Sequence, residues 1–436
     1  MSNPRIAIVG AGPAGAYAAR ELLRSGRGIE VDLFERLPTP WGLLRGGVAP
    51  DHQEIKELAD RFEDDLIGPR CRLFANVEVG RDISHEQLTR RYHAVVYAVG
   101  AQTNKSLGIP GEDLPGSLPA TEFVGWYNGH PDYRDLAPDL SAERAVIIGN
   151  GNVAADVARV LLRPVDELAL TDIADHALDA LRDSAVREVV IVGRRGPAQV
   201  AFSSAELYDL GRITGVDVVV EEVDAGDDAP TSFTARKNVE LLDEFARREP
   251  TGAPRRLVLR FLRSPLRIVG EDHVTGIELA VNELYRDDAD QIRPRTTDQT
   301  ETLDCGLVMR SVGYQAVPIP DVPFDEKAYV LPNEQGRVAD GVYAVGWIKR
   351  GPTGILGTNK RDAEETIASL VADLDAGKLA APPELGADPE LSGHLSFEAW
   401  KAIDASEVES GRPSGRPRVK FCTVDELLAA ASVPSS

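Results

Sequence analysis

Short apolar runs alternate with longer amphipathic stretches along most of the chain. The first apolar run, 6–9, leads into a glycine-rich turn, and apolar side chains then recur at helical spacing over 14–25. A second strand is predicted at 29–34. This pattern predicts a βαβ unit of about thirty residues, in which a helix connects two parallel strands.

The same pattern returns near Arg144. A strand, a glycine turn and a helix are predicted in that order over 145–148, 149–151 and 152–162. The partner strand, 188–192, comes after an insertion, 164–187, that includes a helix-compatible stretch at 173–181. Two such units predict two dinucleotide-binding folds in one chain.

Two further apolar runs, 95–100 and 341–346, share one form, because each is strand-like and ends in glycine. Their similarity predicts that both belong to the sheet of the first domain, so that the second domain is inserted into the first. We therefore expect an α/β fold with two Rossmann-like dinucleotide-binding domains. The first comprises residues 1–105 and 331–436, and the second comprises residues 106–330.

The C-terminal part of the chain is less regular. Residues 377–393 are rich in proline, glycine and alanine and predict a linker or a surface loop. The tail beyond them has amphipathic stretches around 397–403 and 424–431.

Composition and charge exclude several classes of protein. The 436 residues include 48 basic and 70 acidic side chains, a net charge of −22, so neither nucleic acid nor an anionic membrane surface is an expected partner. No apolar run reaches the ~20 residues that a membrane-spanning helix needs, so membrane insertion is not expected. The cysteines Cys71, Cys305 and Cys422 are isolated, which excludes a disulfide scaffold, a redox-active dithiol motif and an iron–sulfur centre within the chain. Isolated thiols and the lack of a signal-peptide pattern predict a cytoplasmic protein.

The first glycine turn has the form G-x-G-x-x-G. Gly10, Gly12 and Gly15 lie directly after a strand and at the start of a helix, and Pro13 belongs to the same predicted cofactor-binding turn. The first glycine allows a tight bend, the second lets backbone approach a pyrophosphate, and the third lets helix and strand pack. Glu35 ends the next strand, where a carboxylate can accept hydrogen bonds from a ribose diol and would repel a 2′-phosphate. The site therefore fits FAD or NAD better than NADP, and a structural turn with a solvated Glu35 is the alternative.

The second turn, Gly149 to Ala154, has the related form G-x-G-x-x-A, in which alanine replaces the third glycine. The strand that follows leads into Arg194 and Arg195, where the first unit has an acidic residue. Guanidinium groups match phosphate oxygens and stay charged at any working pH. This site therefore fits the 2′-phosphate of NADP, and surface charges beside a structural turn are the alternative.

Together the two sites predict a reaction class. One acidic and one basic site predict FAD in the first domain and NADP(H) in the second. The expected reaction is hydride transfer between the nicotinamide C4 and the flavin N5, for which the cofactors carry the chemistry and the protein positions them. The reacting atoms must then come within roughly 3–3.5 Å.

Long ordered motifs occur at 41–52 (WGLLRGGVAPDH), 149–159 (GNGNVAADVAR), 192–202 (VGRRGPAQVAF), 346–358 (GWIKRGPTGILGT) and 415–420 (GRPRVK). They resemble those of the adrenodoxin-reductase-like ferredoxin–NADP reductases, including actinobacterial flavoproteins of that type. The resemblance covers nearly the whole chain. It implies non-covalently bound FAD, hydride transfer from NADPH, and transfer of single electrons to a ferredoxin-type iron–sulfur protein.

The resemblance also implies which residues contact the cofactors. Contacts to FAD fall on Ala14, Glu35, Leu43, Val79, Trp347 and the run Gly354-Ile355-Leu356. Contacts to NADP fall on Lys105, Asn150, Gly151, Asn152, Val153, Arg194, Arg195, Glu206 and Gly354. Since 352–354 precedes a helix-compatible stretch, a helix N-terminus there can stabilise negative charge on the pyrimidine end of reduced flavin. Glycine at 354 leaves room for a nicotinamide ring, whereas Trp347 has core packing as its alternative role.

In the family that the chain resembles, the histidine at position 52 pairs with a carboxylate from an E-L-R-E-L segment, which here is 206–210 (ELYDL). Asp209 thus stands in place of a glutamate that is one methylene longer, and Tyr208 in place of an arginine. A pair of His52 and Asp209 would orient nicotinamide and tune protonation near the flavin, directly or through a water. We predict both as catalytic residues, and a structural or surface histidine is the alternative.

The resemblance implies an acidic ferredoxin as electron acceptor, because reductases of this family offer it a basic patch. Candidate basic residues are found at 236–237, 247–248, 255–256 and 260, although they could equally balance nearby acids such as Glu240, Asp243 and Glu244. Two other functions stay open at this point: a diaphorase or quinone reductase with a small-molecule acceptor, and an electron-transfer subunit or FAD-stabilised scaffold of a larger complex. We expect the protein to be a monomer or a weak dimer.

Overall fold

The structure is a computed structural model that describes residues 3–221, 230, 232–354 and 356–432. Its strands are, in chain order, β1 (Arg5–Val9), β2 (Glu30–Glu35), β3 (Cys71–Ala75), β4 (Ala94–Tyr97), β5 (Thr103–Asn104), β6 (Ser117–Pro119), β7 (Arg144–Ile148), β8 (Glu188–Val192), β9 (Val216–Val220), β10 (Arg255–Arg260), β11 (Arg263–Val269), β12 (Gly276–Arg286), β13 (Ile292–Asp304), β14 (Leu307–Arg310), β15 (Tyr314–Gln315), β16 (Arg337–Ala339) and β17 (Val342–Ala344).

The helices are α1 (Pro13–Arg24), α2 (Leu43–Gly46), α3 (Gln53–Lys56), α4 (Leu58–Leu66), α5 (His85–Thr89), α6 (Ala120–Tyr127), α7 (Asn152–Leu162), α8 (Val165–Leu168), α9 (Asp175–Arg182), α10 (Ser204–Leu210), α11 (Phe233–Ala246), α12 (Trp347–Arg350), α13 (Leu356–Asp375), α14 (Phe397–Gly411) and α15 (Val424–Ala431). Short 3₁₀ turns span Pro131–Tyr133, Pro197–Gln199 and Arg412–Ser414. Within the residues described, no helix is both long enough and apolar enough to cross a bilayer.

The chain forms two compact units. The first comprises residues 1–48, 52–104 and 313–436, and the second comprises residues 49–51 and 105–312. The second unit is therefore inserted in the sequence of the first. The chain returns to the first unit at Gly313, earlier than residue 330, because β15 pairs with β5 directly after the insertion.

The first unit is built on a sheet of order β16-β17-β4-β1-β2-β3, which is parallel except for the β16–β17 pair. Strand β17 pairs with β4, so the two glycine-terminated runs lie side by side in one sheet, as predicted. Successive side chains of a strand face opposite sides. Accordingly Ile6 and Ile8 pack into one apolar cluster that includes α1 and α13, whereas Ala7 and Val9 pack into a second cluster. Burial on both faces explains why β4 (AVVY) has no polar alternation.

The second unit is built on a parallel sheet of order β6-β14-β7-β8-β10-β9. An antiparallel sheet, β11-β12-β13, packs against it, because Ile277 and Leu279 of β12 share an apolar cluster with Val146 and Val190. Strand β13 (IRPRTTDQTETLD) has few apolar side chains and lies at the edge of this sheet, paired with β12 through its backbone.

The tail folds back onto the first unit. Helices α14 and α15 contribute Trp400 and Leu427 to its apolar cluster, and Trp41 stacks between Phe62 at 5.9 Å and Phe397 at 6.4 Å between ring centroids.

The segment 377–393 forms a loop, as predicted. It is nevertheless attached to the first unit, through ion pairs of Glu384 with Arg90 (2.7 Å) and of Asp388 with Arg72 (2.8 Å). The helix predicted at 173–181 is α9, which begins two residues after its predicted start, and the insertion 164–187 also contains the short helix α8.

Candidate nucleotide-binding sites

Each unit has a point where the strand order reverses. In the first unit β2 and β4 lie on opposite sides of β1, and in the second unit β8 and β14 lie on opposite sides of β7. In open α/β sheets, ligands bind outside the carboxyl ends of the strands at such a switch point. The turns after β1 and β7 are the two glycine turns, so both lie at the expected place.

The first turn has little space at two glycines and open space at one. A Cβ added to Gly10, whose φ is +105°, would lie 2.5 Å from the carbonyl oxygen of Ala98, and one added to Gly15 would lie 2.0 Å from that of Gly10. A Cβ at Gly12 would meet nothing nearer than 3.8 Å. The open side of the turn at Gly12 can therefore accept a phosphate group. Helix α1 begins at Pro13 without a side-chain cap, which leaves its first amides available to an anion.

Glu35 reaches back to this turn. Its carboxylate accepts hydrogen bonds from the backbone N–H groups of Ala11 and Leu37, each at 3.0 Å. Desolvation raises the pKa of Glu35, and the backbone donors oppose that shift. A carboxylate acceptor beside the open side of the glycine turn can accept hydrogen bonds from a ribose diol.

The segment after β2 covers the same turn. Trp41 donates its backbone N–H to the carbonyl of Ala11 at 2.9 Å, and a Cβ on Gly42 would lie 3.0 Å from the Cα of Gly12. Leu43 follows with 37% of its surface exposed, so it is available to a ligand.

The other predicted contacts of the first unit include Val79, in the segment after β3, and Ala14, in the first turn of α1. Val79 is partly buried after β3. Ala14 is buried and would lie 2.6 Å from a Cβ on Gly346, which directly precedes Trp347.

Trp347 packs in the core and also has an unused donor. Its ring lies 5.1 Å from that of Tyr314, while its buried Nε1 has no hydrogen-bond acceptor among the described residues. Gly354 has a φ of +83° and comes before α13, which starts at Leu356. Ile355 lies outside the described residues.

The second turn repeats the geometry of the first. A Cβ on Gly149, whose φ is +118°, would lie 2.1 Å from the carbonyl oxygen of Ser311 at the end of β14, whereas one on Gly151 would meet nothing within 4 Å. Helix α7 also starts without a side-chain cap. The amide oxygen of Asn152 accepts the backbone N–H of Ser203 at 2.8 Å, and Ala201 donates to the carbonyl of Asn150 at 3.1 Å. Val153 is half-buried in the first turn of α7.

Arg194 and Arg195 come directly after the carboxyl end of β8, which pairs in parallel with β7 and so ends on the same side of the sheet as the glycine turn. Arg194 is exposed and Arg195 is half-buried, and neither guanidinium has a hydrogen bond or an ion pair with any other described residue. Desolvation, together with the positive charges of Arg194 and Arg293, lowers the pKa of Arg195. Neighbouring cations without a counter-ion among the described residues, in a chain of net charge −22, indicate an anion-binding site.

Glu206 is part of a buried ion network in the second unit. Arg159 is fully buried and binds Asp51 (Nε–Oδ2 2.9 Å), Asp156 (Nη2–Oδ1 2.6 Å) and Glu206. Burial opposes the charge on Arg159, but the three carboxylates outweigh it and raise its pKa. Arg163 also reaches Asp51, at 3.1 Å.

The predicted catalytic residues belong to different units. His52 follows the anchored Asp51, and its Nδ1 lies 3.4 Å from the carboxylate of Glu54. Asp209 is half-buried on α10. Their pairing stays a prediction.

Lys105 is exposed at the start of the second unit, before a loop that Glu112 fixes through the backbone N–H groups of Leu107 and Gly108, each at 2.7 Å.

The basic candidates for partner docking are mostly paired with acids. Arg247 binds Asp243, Arg248 binds Glu244 at 2.8 Å, and Arg256 binds Glu188. Arg260 binds Glu221 at 2.5 Å. For these residues the balancing of nearby acids is the better interpretation.

Arg159 is a functional residue that was not predicted from the sequence, although the pattern of α7 contains a signal for it. Arg159 lies one turn from Ala155 and Leu162 on the apolar face of α7, where a charged residue requires buried partners.

The chain was compared with known proteins. The model of the pyridine nucleotide-disulphide oxidoreductase family matches residues 4–192. The NADPH-ferredoxin reductase FprA of Mycobacterium tuberculosis is 48% identical over 97% of this chain and 98% of its own. The mitochondrial NADPH:adrenodoxin oxidoreductase of Salvelinus fontinalis is 43% identical over 99% of this chain and 91% of its own. The solved structure of M. tuberculosis FprA in complex with NADPH, 46% identical, superposes with a TM-score of 0.93 over 99% of this chain and 100% of that one. The chain therefore belongs to the adrenodoxin-reductase-like family of ferredoxin–NADP reductases.

Proposed function

We propose that the protein is an NADPH-dependent, FAD-containing reductase of a ferredoxin-type iron–sulfur protein. The observation that carries the proposal is the contrast between two otherwise equivalent turns. One ends beside the carboxylate of Glu35, and the other beside Arg194 and Arg195, which have no counter-ion among the described residues. The relatives named NADPH-ferredoxin reductase support the same assignment.

The first unit is proposed as the FAD-binding domain. Gly12 leaves room for the pyrophosphate, and the N-terminal amides of α1 stabilise its charge. Glu35 accepts the hydroxyl groups of the ribose. The unused Nε1 donor of Trp347 fits a cofactor with acceptor atoms at this edge of the sheet. FAD supplies the ability to take a hydride and to release electrons one at a time.

The second unit is proposed as the NADP-binding domain. The start of α7 and the open space at Gly151 accept the pyrophosphate. Arg194 and Arg195 bind the 2′-phosphate, and Lys105 contributes another positive charge. Glu206 is held by Arg159, so its carboxylate is fixed in position beside the residues that follow the turn.

His52 and Asp209 are proposed to orient the nicotinamide and to hold a proton near the reacting atoms. Arg159 and Arg163 fix the carboxylate of Asp51, the residue before His52, at 2.9 and 3.1 Å. The residue directly before His52 is therefore held in place by two ion pairs.

The electron acceptor is proposed to be a ferredoxin-type iron–sulfur protein, since relatives are named for ferredoxin or adrenodoxin. Its acidic character is an expectation from the family resemblance alone. No observation favours a small-molecule acceptor.

The free and buried state of Cys71, Cys305 and Cys422 supports a reducing compartment, so we propose a cytoplasmic location. We further propose that the protein acts as a monomer or a weak dimer.

The proposal is tested by anaerobic rapid mixing of the purified holoprotein with NADPH and, separately, with NADH. We expect NADPH to reduce the flavin much faster than NADH does. In a second mix, a ferredoxin should reoxidise the flavin faster than a small quinone at equal concentration. Purification without flavin, or failure of both nucleotides to reduce it, would overturn the proposal.

A substitution at Gly12 separates cofactor binding from folding. Gly12→Ala is expected to give a folded protein that binds FAD at least about tenfold more weakly, because the new methyl group occupies open space meant for phosphate. Gly15→Ala is expected to destabilise the protein by about 3 kcal/mol, because its Cβ would overlap the carbonyl of Gly10. Circular dichroism and FAD titration measure the two effects. Gly68→Ala, in open space, is the matched control, and equal FAD affinity of Gly12→Ala and Gly68→Ala would contradict the proposed role of Gly12.

A further inference from the structure

The segment Gly193-Arg194-Arg195 is held by the antiparallel sheet of the second unit. All three of its carbonyl groups accept hydrogen bonds from residues between β10 and β12. Arg263 donates its backbone N–H to Gly193 at 3.1 Å, and Leu262 donates its own to Arg195 at 3.2 Å. Asn282 donates its side-chain Nδ2 to the carbonyl of Arg194 at 2.7 Å. The backbone of both arginines is therefore fixed from one side.

Asn282 is the central member of this contact. It is 4% exposed, and its Nδ2 also donates to the Oγ of Ser264 at 2.9 Å, so both of its amide hydrogens are used. Its backbone N–H donates to the carbonyl of Leu262 at 2.8 Å, which connects it to the residue that holds Arg195. A carbonyl oxygen can only accept a hydrogen bond, so the donor Nδ2, and not the acceptor Oδ1, must face Arg194.

The backbone is irregular beside Asn282. The register of β12 against β13 shifts here, because Ala280 faces Thr300 whereas Asn282 faces Thr296, so two extra residues of β13 interrupt the regular pairing. Leu262 has a φ of +53°, which a leucine rarely adopts and which persists only when its surroundings hold it. Two irregular features thus meet at the residues that support the arginine segment.

We infer that Asn282 is a positioning residue for NADP specificity, which fixes Arg194 and Arg195 so that their guanidinium groups form a preorganised site for a 2′-phosphate. This rests on the proposed function of the second unit. The two long side chains bear like charges and have no counter-ion among the described residues. A rigid backbone beneath them lowers the cost of bringing both onto one phosphate. Asn282 itself need not touch the nucleotide.

The test compares adenosine 2′,5′-bisphosphate with adenosine 5′-monophosphate, which differ by the 2′-phosphate alone. Equilibrium titration of the holoprotein gives both dissociation constants, and no turnover is required. The ratio used here is the dissociation constant of the monophosphate divided by that of the bisphosphate. In Asn282→Ala we expect this ratio to fall about tenfold, with the affinity for the monophosphate unchanged within about twofold. Asn282→Asp, which keeps the shape but loses the donor, should shift the ratio in the same direction, and Ser264→Ala should do so to a smaller extent.

Asn238→Ala is the matched control. Asn238 is 1% exposed in the same unit, donates its Nδ2 to the carbonyl of Phe202 at 2.9 Å and accepts the hydroxyl of Ser204 at 2.8 Å. The variant therefore loses a comparable buried amide that does not hold the carbonyl groups of residues 193–195. We expect its ratio to equal that of the wild type, whatever its melting temperature. An unchanged ratio in Asn282→Ala, or an equal loss of affinity for both nucleotides, would overturn the inference.

The role of Asn282 and the assignment of NADP to the second unit are distinguished by different outcomes. If the wild-type protein shows no preference for the bisphosphate, then the assignment of NADP to the second unit is wrong and the role of Asn282 falls with it. If the wild type shows the preference and Arg194→Ala abolishes it, while Asn282→Ala retains it, only the role of Asn282 is wrong.

Discussion

Replacement of Arg194 by alanine is expected to raise the Michaelis constant for NADPH by about 30- to 100-fold, while that for NADH changes by less than about twofold. A hydrogen bond between charged groups contributes about 2–3 kcal/mol, and each 1.4 kcal/mol corresponds to about tenfold in affinity. NADH lacks the 2′-phosphate, so its binding does not depend on an interaction with Arg194. Steady-state kinetics with ferricyanide as acceptor measure both constants without involving a protein partner.

Arg256→Ala is the matched control for this experiment. Arg256 lies on β10 of the same unit, near the amino end of that strand, and pairs with Glu188. Removing it takes one arginine from the same domain without touching the segment after β8. Equal effects of Arg194→Ala on both nucleotides, or equal effects of the two variants on NADPH, would contradict the assignment of the 2′-phosphate to Arg194.

The parts of these sites that depend on local sequence could be predicted. The geometry of a glycine turn between an apolar strand and a helix can be predicted from its sequence. Gly10 and Gly149 have a positive φ, and Gly15 has no room for a Cβ beside the carbonyl of Gly10. Glu35 follows the first turn at the expected distance, whereas Arg194 comes later because of the insertion at 164–187. Both turns and their helices therefore follow from local patterns. The placement of β17 beside β4 was predicted from the shared form of the two runs and not from their distance along the chain.

The supports of the sites could not be predicted in this way. Strand β13 is polar along most of its length and is held by backbone hydrogen bonds, so hydrophobic periodicity gives no signal for it. Asn282 reaches Arg194 across 88 residues, and Glu407 reaches Arg45 across 362. Contacts at such separations are set by how the elements pack, and a single sequence contains no pattern that identifies them.

The contact between Glu407 and Arg45 connects the tail to the segment that covers the first glycine turn. Arg45 lies in α2 and donates two hydrogen bonds to the carboxylate of Glu407, at 2.7 and 2.5 Å. The backbone N–H of Phe421 donates to the same carboxylate at 2.9 Å, and Arg418 lies 3.3 Å away. The side chain of Glu407 is wholly buried. The tail thereby fixes α2, which begins with the predicted FAD contact Leu43.

Glu407→Gln is expected to destabilise the first unit by about 3 kcal/mol and to speed the loss of FAD. The substitution keeps the shape of the side chain but removes the counter-charge of Arg45, whose side chain is only 12% exposed. Breaking a buried ion pair costs about 3–5 kcal/mol, and the partial exposure of Arg45 places the effect at the lower end of that range. For a unit of this size, the melting temperature should fall by roughly 6–12 °C. Thermal unfolding followed by flavin fluorescence measures both effects. Glu409→Gln is the control, because Glu409 lies on the same helix in an exposed pair with Arg412 and should have little effect.

The pH dependence of the difference in melting temperature between wild type and Glu407→Gln tests whether the charge of Glu407 causes it. Burial opposes ionisation of Glu407, but Arg45 and Arg418 outweigh it and hold the pKa of this carboxyl below its ordinary value. A depressed pKa contributes stability that is fully present above the unfolded value, about 4.3, and that is lost as the pH falls through the folded value. The gap in melting temperature between wild type and Glu407→Gln should therefore be constant from about pH 8 to pH 5 and should narrow below about pH 4. A gap that stays the same in acid would mean that Glu407 acts through packing, and that the tail fixes α2 by shape alone.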